Sequence, residues 1–442
     1  MSRYITIALT ILLFFTGSAF GSDIREYFLP NGLKIVTVED HKSPVVSFQV
    51  WYKVGSRNEI TGKSGISHLL EHMMFKGTPK YGKGEYSGIV ARNGGNENAF
   101  TSQDYTAYFQ NISSDRFEIA LDLESDRMVN LLIDPMEFML ERDVVKEERR
   151  LRTEDDPVSS LIEELYATAF KIHPYRSPVI GWMNDLNNLT RDELYNYYKE
   201  YYRPDNTTIV VVGDINSEEL VEKIGHYFGG IPKGLLPVRE VKVSETEQKG
   251  ERRFLYKREA QLPYVIYGYP APNYKDKDHY ALELLSKILS GGKSSRLYQS
   301  IVYSKQIALA AGGGFTPVQT DPELFYFYAQ LKPGRTTEEA EAALNEEIER
   351  IKREPVSERE LQKARNQTEA SFIMQQDSVF YQAMLIGQLE TTGAGARYLE
   401  SYIDEIRRVT PEDIQRVAQK YFVEDNRTVG VLVPLPQTST SP

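Results

Sequence analysis

The sequence predicts an α+β protein of two related domains, and two kinds of observation indicate this class. Strand-like runs rich in β-branched and aromatic residues open each half, at 33–38 and 45–54 and again at 264–269. Long helical patterns follow, and strands return at 105–112 and 325–331. Interleaved strands and helices predict, in each domain, a mostly antiparallel or mixed sheet with helices packed on one face.

An internal repeat supports the division into two halves. Residues 189–212 align without gaps with residues 409–432. Each copy has a Thr N-cap, an acidic first turn, an amphipathic helix, an Asp-Asn turn and a β-rich run. The shared order of elements favours duplication over chance identity. The identical pairs are Thr190/Thr410, Tyr201/Tyr421, Asp205/Asp425, Asn206/Asn426, Thr208/Thr428 and Val211/Val431.

The N-terminus has the pattern of a secretory signal in residues 1–21. Arg3 provides a positive charge, and the apolar run 4–15 is too short for a comfortable membrane span. We therefore expect an exported protein, periplasmic or secreted; the alternative is an uncleaved N-terminal anchor. The predicted domain limits are 22–232 for the N-terminal domain, 233–252 for a polar linker, 253–435 for the homologous C-terminal domain and 436–442 for a disordered tail.

Composition excludes several classes of function. The formal net charge of −11 argues against a nucleic-acid partner. A cationic peptide substrate fits this charge, although solubility alone accounts for it more simply. The absence of cysteine excludes disulfides, thiol nucleophiles and thiolate metal sites. No apolar run of about 20 residues follows the signal segment, so no membrane span is expected in the mature chain.

The most specific chemical signal is the run from His68 to His72. On a helix, residues three and four apart share one face, so His68, Glu71 and His72 lie together. Two imidazoles that hold one ion beside a free carboxylate are the arrangement of a zinc hydrolase. The order H-x-x-E-H is the reversed form of the commoner zinc-peptidase motif. Glu71 is predicted to be the general base, because it cannot easily bind the ion that its neighbour His72 holds.

A third ligand is expected on the helical pattern that starts near residue 135. Glu141 and Glu148 are seven residues apart and share a face with Val144 and Val145. A carboxylate on a partly apolar face needs a partner, and a metal ion supplies one. Glu148 is the candidate ligand, and Glu141 is the candidate support that orients a histidine ring. For Glu147 a solvated acidic face is favoured.

Two further stretches are candidates for substrate contact. In the segment 93–108, glycines lead into an alternating strand, which can pair with an extended peptide or be an ordinary turn and edge strand. Arg296 and Tyr303 are seven residues apart, so an α-helix would place both on one face, where they could bind a peptide carbonyl or its oxyanion. By periodicity alone, an ordinary helix-surface pair is favoured.

One metal per chain is implied, because the positions 220 beyond the ligands are Ile288, Gly292 and Thr368.

These motifs resemble the pitrilysin/insulinase family of zinc peptidases, which includes mitochondrial processing peptidase. The resemblance runs from about Tyr27 to Val433 and is strongest at 68–78, 94–101, 144–148 and 173–181. It implies one zinc ion per chain. The roles it implies are zinc ligation by His68, His72 and Glu148, general base catalysis by Glu71, support by Glu141, binding of the substrate backbone by Asn98 and Ala99, and completion of the active site by Arg296 and Tyr303.

The resemblance also implies an assembly. Family members enclose a peptide in a clam-shell of four such domains, and a two-domain chain is similar to half of one. A homodimer, or a heterodimer with a related zinc-less subunit, is therefore expected, with Arg296 and Tyr303 acting on the zinc of the partner chain. The expected function is a zinc-dependent endopeptidase that hydrolyses peptides or small unfolded proteins in an enclosed chamber. The alternative is a non-catalytic peptide-binding or assembly subunit, which the complete ligand set disfavours.

Overall fold

The computed structural model describes residues 24–235, 238 and 241–435. The predicted signal segment 1–21 and the predicted tail 436–442 lie outside these residues. The strands are β1 Arg25–Phe28, β2 Lys34–Glu39, β3 Val45–Tyr52, β4 Asn96–Thr101, β5 Thr106–Ser113, β6 Thr207–Gly213, β7 Arg252–Glu259, β8 Tyr264–Ala271, β9 Ala308–Gly314, β10 Glu323–Leu331 and β11 Thr428–Leu435.

The helices alternate with these strands. They are α1 Ile66–Met73, α2 Glu85–Arg92, α3 Glu118–Asn130, α4 Pro135–Arg149, α5 Pro157–Ala169, α6 Met183–Asn188, α7 Arg191–Tyr201, α8 Ser217–Phe228, α9 Asp278–Ser290, α10 Thr337–Arg353, α11 Glu358–Gln376, α12 Val379–Thr392, α13 Tyr398–Arg408 and α14 Pro411–Tyr421. Two segments wind as π-helix, Arg150–Glu154 and Tyr298–Ser304. In the described part of the chain, no helix is both long enough and apolar enough to span a bilayer.

The strands form two sheets with the same pattern of pairing. The first sheet has the order β1-β2-β6-β3-β5-β4, and the second has the order β7-β11-β8-β10-β9. In each sheet the last strand of the half pairs in parallel with an early strand, β6 with β2 and β11 with β7, and the other pairs are antiparallel. This repeated topology confirms the predicted α+β class and the two homologous units.

The aligned helices of the repeat begin in the same way. Thr190 caps α7 and Thr410 caps α14, and each threonine belongs to a capping box with an acidic residue three positions later. The side chain accepts a backbone N–H of the first turn, which satisfies a donor that has no partner inside the helix. Each helix then leads through a short 3₁₀ turn into the last strand of its sheet.

Each sheet is covered on both faces, and the two halves exchange the covering helices. The helices of the first half, including α1, α7 and α8, pack with one face of the first sheet in a single core. The opposite face contacts α12, which belongs to the second half. In return, α5 of the first half packs on β8 and β11 of the second sheet. The predicted one-face packing thus describes the helices that each half contributes to its own sheet.

The contact between α12 and the first sheet is close. A methyl group added at Gly387 would lie 2.0 Å from the ring of the fully buried Trp51. Lys34 Nζ lies 2.6 Å from a carboxylate oxygen of Glu390, so an ion pair ties the same helix to β2. Burial of both sheet faces explains why Val46–Tyr52 of β3 is buried without interruption.

The segment that the sequence predicts as a linker contacts both halves where it is described. Arg57 Nη2 donates a hydrogen bond to the carbonyl of Val241 at 2.8 Å. The carboxylate of Glu245 accepts from the backbone N–H of His173 at 2.9 Å, and the N–H of Gly250 donates to the carbonyl of Asp425 at 2.9 Å. The connection is therefore held against the body of the protein.

Candidate metal centre

Helix α1 carries the H-x-x-E-H residues and is fixed at its N-terminus by a remote carboxylate. The Glu59 side chain accepts hydrogen bonds from the backbone N–H groups of Gly65, at 2.8 Å, and Ser67, at 2.9 Å. Gly65 has φ of 84°, and a methyl group there would lie 2.6 Å from the carbonyl oxygen of Ile180. Only glycine fits this entry to the helix. The start of α1 is thus set by contacts outside the helix itself.

Three predicted side chains converge at one point between α1 and α4. Glu148 Oε2 lies 3.4 Å from His72 Nε2 and 3.8 Å from His68 Nε2. One donor atom of each residue lies within 4.8 Å of the other two. Among the residues that the structure describes, this is the one group of three or more such side chains with metal-site geometry.

The donor set fits a catalytic zinc ion. Two imidazoles and one carboxylate, with a position left for water, form a known zinc-hydrolase ligand set. Burial, with smaller contributions from His72 and Arg152, lowers the pKa of His68 to about 3. His68 is therefore neutral at physiological pH, as a metal ligand must be. Glu148 Oε2 lies 3.4 Å from His72 Nε2 and 3.8 Å from His68 Nε2, both longer than an ordinary N–H···O hydrogen bond.

His72 is oriented by Glu141, as the sequence analysis expected of that residue. His72 Nδ1 lies 2.9 Å from Glu141 Oε1. A carboxylate only accepts, so Nδ1 carries a proton, and in the neutral ring the lone pair is on Nε2, the atom nearer Glu148. Burial alone would lower the pKa of His72, but the bond to Glu141 and the negative charges of Glu71, Glu141 and Glu148 outweigh it and raise the pKa. Lys76 Nζ, 2.5 Å from Glu141 Oε2, holds the other carboxylate oxygen.

Glu71 is held by a residue that the sequence analysis did not single out. Thr101 Oγ1 donates to Glu71 Oε2 at 2.6 Å. Burial raises the pKa of Glu71 above its ordinary value, although the bond from Thr101 acts in the opposite direction. Thr101 ends β4, the edge strand next to α1, and lies two residues beyond the predicted Ala99 on the same face. That alternation is the sequence signal by which Thr101 could have been found.

Arg152 is a second residue that the sequence analysis missed. Its Nη1 lies 2.5 Å from Glu148 Oε1, on the oxygen that faces away from the histidines. The four-residue spacing between Glu148 and Arg152 is that of an ordinary surface ion pair on a helix, so the sequence gives no reason to treat it differently.

The cluster opens into a cavity of about 1110 Å³. Its walls come from α1, from the edge strand β4 and from α4 with the π-helical segment that follows. Asn98 and Ala99, the predicted substrate-backbone contacts, both lie on the β4 wall. The lining residues are His68, Glu71, His72, Asn98, Ala99, Phe100, Thr101, Leu140, Asp143, Val144, Glu147, Glu148, Leu151, Arg152, Thr153, Val179 and Ile180.

Arg296 and Tyr303 do not line this cavity. Arg296 makes a two-point ion pair with Glu360, with Nε at 2.8 Å and Nη2 at 3.0 Å from its oxygens, and this bond lowers the pKa of Glu360 to about 2. Tyr303 is 69% exposed. The segment between them winds largely as π-helix, so the seven-residue spacing, which assumed an α-helix, does not place the two side chains on one face.

The chain is similar to known proteins over most of its length. A family model described as Insulinase (Peptidase family M16) matches residues 34–182, and one described as Peptidase M16 inactive domain matches residues 188–368. The zinc protease PqqE of Helicobacter pylori is 35% identical over 411 residues, which are 92% of this chain and 92% of that protein.

Solved structures show the same architecture. A protease from Helicobacter pylori has a TM-score of 0.90 at 34% identity and covers 93% of this chain and 100% of its own. The periplasmic protease PqqL from Escherichia coli has a TM-score of 0.78 at 18% identity, a likeness in fold alone. That match covers 94% of this chain but 48% of PqqL, so this chain corresponds to about half of it.

Proposed function

The chain belongs to the insulinase family of M16 peptidases, and from this premise we propose that it is a zinc-dependent endopeptidase of peptides or small unfolded proteins. The observation that carries the proposal is the placement of His68, His72 and Glu148 around one point, with Glu71 in the same cavity. Relatives named as zinc proteases support the metal at the level of the family.

The side chains divide the chemistry between them. His68, His72 and Glu148 would hold the zinc ion, which when bound supplies a Lewis acid for the scissile carbonyl and makes water more acidic. Glu71 takes a proton from the attacking water and passes it to the leaving amine. Thr101 fixes one oxygen of Glu71 at 2.6 Å, so the rest of the carboxylate stays directed into the cavity. The raised pKa of Glu71 suits a group that must both accept and release a proton.

A non-catalytic subunit on the same scaffold is the competing function. The description "inactive domain" belongs to the family model that matches residues 188–368. Every proposed ligand and the proposed base lie within residues 34–182, under the other family model. The complete set in that half favours the catalytic function.

The substitution Glu71→Gln tests the mechanism. The variant should bind zinc and unfold at the same temperature as the natural protein, yet hydrolyse an unstructured peptide at a rate reduced at least about 10²-fold, which is within the range for loss of a general base. Metal content, thermal unfolding and cleavage of a quenched fluorescent peptide are the measurements. Undiminished hydrolysis by the zinc-loaded variant would overturn the assignment of Glu71.

We propose further that two chains form the working enzyme, as a homodimer or with a related zinc-less chain. The support is that this chain matches 48% of PqqL, and that Arg296 and Tyr303 lie outside the cavity of their own chain. In a homodimer they would act on the zinc site of the partner. Mixing inactive Glu71→Gln and Arg296→Ala proteins should then restore part of the activity. No recovery after demonstrated subunit exchange would contradict action across the interface.

We also propose that the protein is exported, on the pattern of residues 1–21. Fractionation of cells that express the full chain, with N-terminal sequencing of the product, should recover a form that begins after the signal outside the cytoplasm. A full-length cytoplasmic product would contradict export.

A further inference from the structure

Helix α4 and the π-helical segment that follows it expose aliphatic side chains on the wall of the metal cavity. Leu140 is 52% exposed, Val144 is 49% exposed and Leu151 is 70% exposed, and all three line the cavity together with the ligand Glu148. Single exposed aliphatic residues need no explanation, but a row of them beside a reactive centre marks a binding surface. We call Leu140, Val144 and Leu151 the apolar wall.

The spacing of this wall matches an extended peptide. Leu140, Val144 and Glu148 follow one another at four-residue steps, so they lie on one face of α4, about 6 Å apart along the axis. Alternate side chains of an extended chain point the same way and recur about every 6.6 Å. A peptide lying in the cavity beside the edge strand β4 can therefore place side chains n and n+2 against Leu140 and Val144, while its backbone passes the metal ligands.

The position of Glu148 identifies the occupant as transient. The ligand lies in the same row as Leu140 and Val144, so a protein permanently docked on the apolar wall would block access to the metal cluster. The occupant must enter and leave with turnover, and the molecule that does so in a peptidase is the peptide itself. Two acidic residues also line this part of the cavity, and each has a basic partner. Asp143 pairs with Lys146 at 3.0 Å and Glu147 pairs with Arg150, so their charges do not oppose the binding of an apolar side chain at Leu140 or Val144.

We propose that the apolar wall selects substrates, so that the preferred peptides carry large apolar side chains at alternate positions on one side of the scissile bond. Leu140 and Val144 are the residues that determine this preference. The proposal rests on the proposed peptidase function, and it names the substrate class of that site.

Binding to a full-length Glu71→Gln protein tests the preference without relying on hydrolysis. The probes are three fluorescein-labelled decapeptides of equal length and charge: one with leucines at alternate positions, one with the same leucines grouped together, and one with glutamine in place of leucine. The test variant adds Leu140→Gln and Val144→Thr, which keep side-chain size. Met139→Gln is the matched control, because Met139 is on the same helix, 45% exposed and outside the cavity lining.

The alternating peptide should bind at least about tenfold more tightly than the glutamine peptide and more tightly than the grouped one, as expected when leucine side chains are buried. The double variant should lose that advantage, and the Met139 control should keep it within about twofold. Equal binding of the three peptides, or equal loss in the control, would overturn the inference. A change of oligomeric state in the double variant alone would instead identify the wall as a subunit contact and also overturn it. Hydrolysis of the alternating peptide by the natural protein is measured in parallel, so selective binding without cleavage would refute the peptidase proposal and leave the wall intact.

Discussion

Removal of Glu141 should weaken zinc binding although this residue is not a ligand. Glu141 Oε1 is 2.9 Å from His72 Nδ1 and holds that ring. His68 Nδ1, in contrast, is buried with no hydrogen-bond partner in the described part of the chain, so the orientation of the imidazole pair depends mainly on Glu141. Loss of such a support typically lowers metal affinity 10- to 100-fold, which is about 1.4–2.7 kcal/mol. A charge-assisted hydrogen bond contributes about 1.5–3 kcal/mol, which agrees with this range.

The assay is competition for zinc against a chelator of known affinity at pH 8, with Glu141→Ala as the test. Glu137→Ala is the control, because Glu137 lies one turn earlier on α4 and pairs with the exposed Lys83. Glu141→Gln should be intermediate, since it keeps an acceptor and loses the charge. Glu141 also raises the pKa of His72, so protons compete with zinc for His72 more strongly in the natural protein than in Glu141→Ala. The difference in zinc affinity between the natural protein and Glu141→Ala should therefore shrink as the pH falls. Equal zinc affinities of Glu141→Ala and Glu137→Ala at pH 8 would refute the reasoning.

Three further substitutions have expected outcomes. Thr101→Val should lower kcat about tenfold with KM unchanged, and Thr101→Ser should restore it; an unchanged kcat for the valine variant would contradict the positioning of the base. Burial raises the pKa of Glu323 from 4.5 to about 7, so its ionisation in the folded state costs stability progressively as pH rises above about 4.5. Glu323→Gln should thus be more stable in urea by roughly 3 kcal/mol at pH 8 and equally stable below pH 4; a gain that does not grow with pH would contradict this. Gly387→Ala should destabilise by about 1–3 kcal/mol, because the added methyl group meets Trp51, whereas Gly230→Ala, with nothing within 4 Å, should not.

The local parts of the candidate site were predictable from the sequence, and the contacts across elements were not. Helical periodicity alone places His68 beside His72 and puts Glu141 and Glu148 on one mixed face. The choice of Glu148 as the ligand rests partly on the family resemblance. Alternation along β4 places Thr101 on the same face as Ala99, but the bond from Thr101 to Glu71 joins β4 to α1 over 30 positions, and the packing of one element on the other is not visible in the pattern of either. For Tyr303 the local prediction itself was wrong. Its seven-residue spacing from Arg296 gives a shared face in an α-helix, but the segment is largely π-helix, which has more residues per turn.

The fold also has local features that were predictable from the sequence and contacts between distant segments that were not. The helix and the last strand of each half follow from the repeat, but the exchange of α5 and α12 brings together residues that are far apart in the chain. A signal for it was present. The run Thr207–Gly213 is apolar or β-branched at every position up to Val212, and not only at alternate ones. Such strands are buried on both faces, which requires a covering layer that the helices of one half do not supply.

The exchange explains what the second half contributes although the candidate metal ligands that the structure describes all lie in the first half. The helix α1 that carries His68 and His72 packs on one face of the first sheet, and α12 closes the other face. Without α12, the buried Trp51 and its valine neighbours would meet water, and the sheet that supports α1 and β4 would lose one of its two hydrophobic layers. The second half is part of the core that holds the candidate metal ligands in place, so substitutions in α12 should alter zinc affinity although α12 does not line the metal cavity.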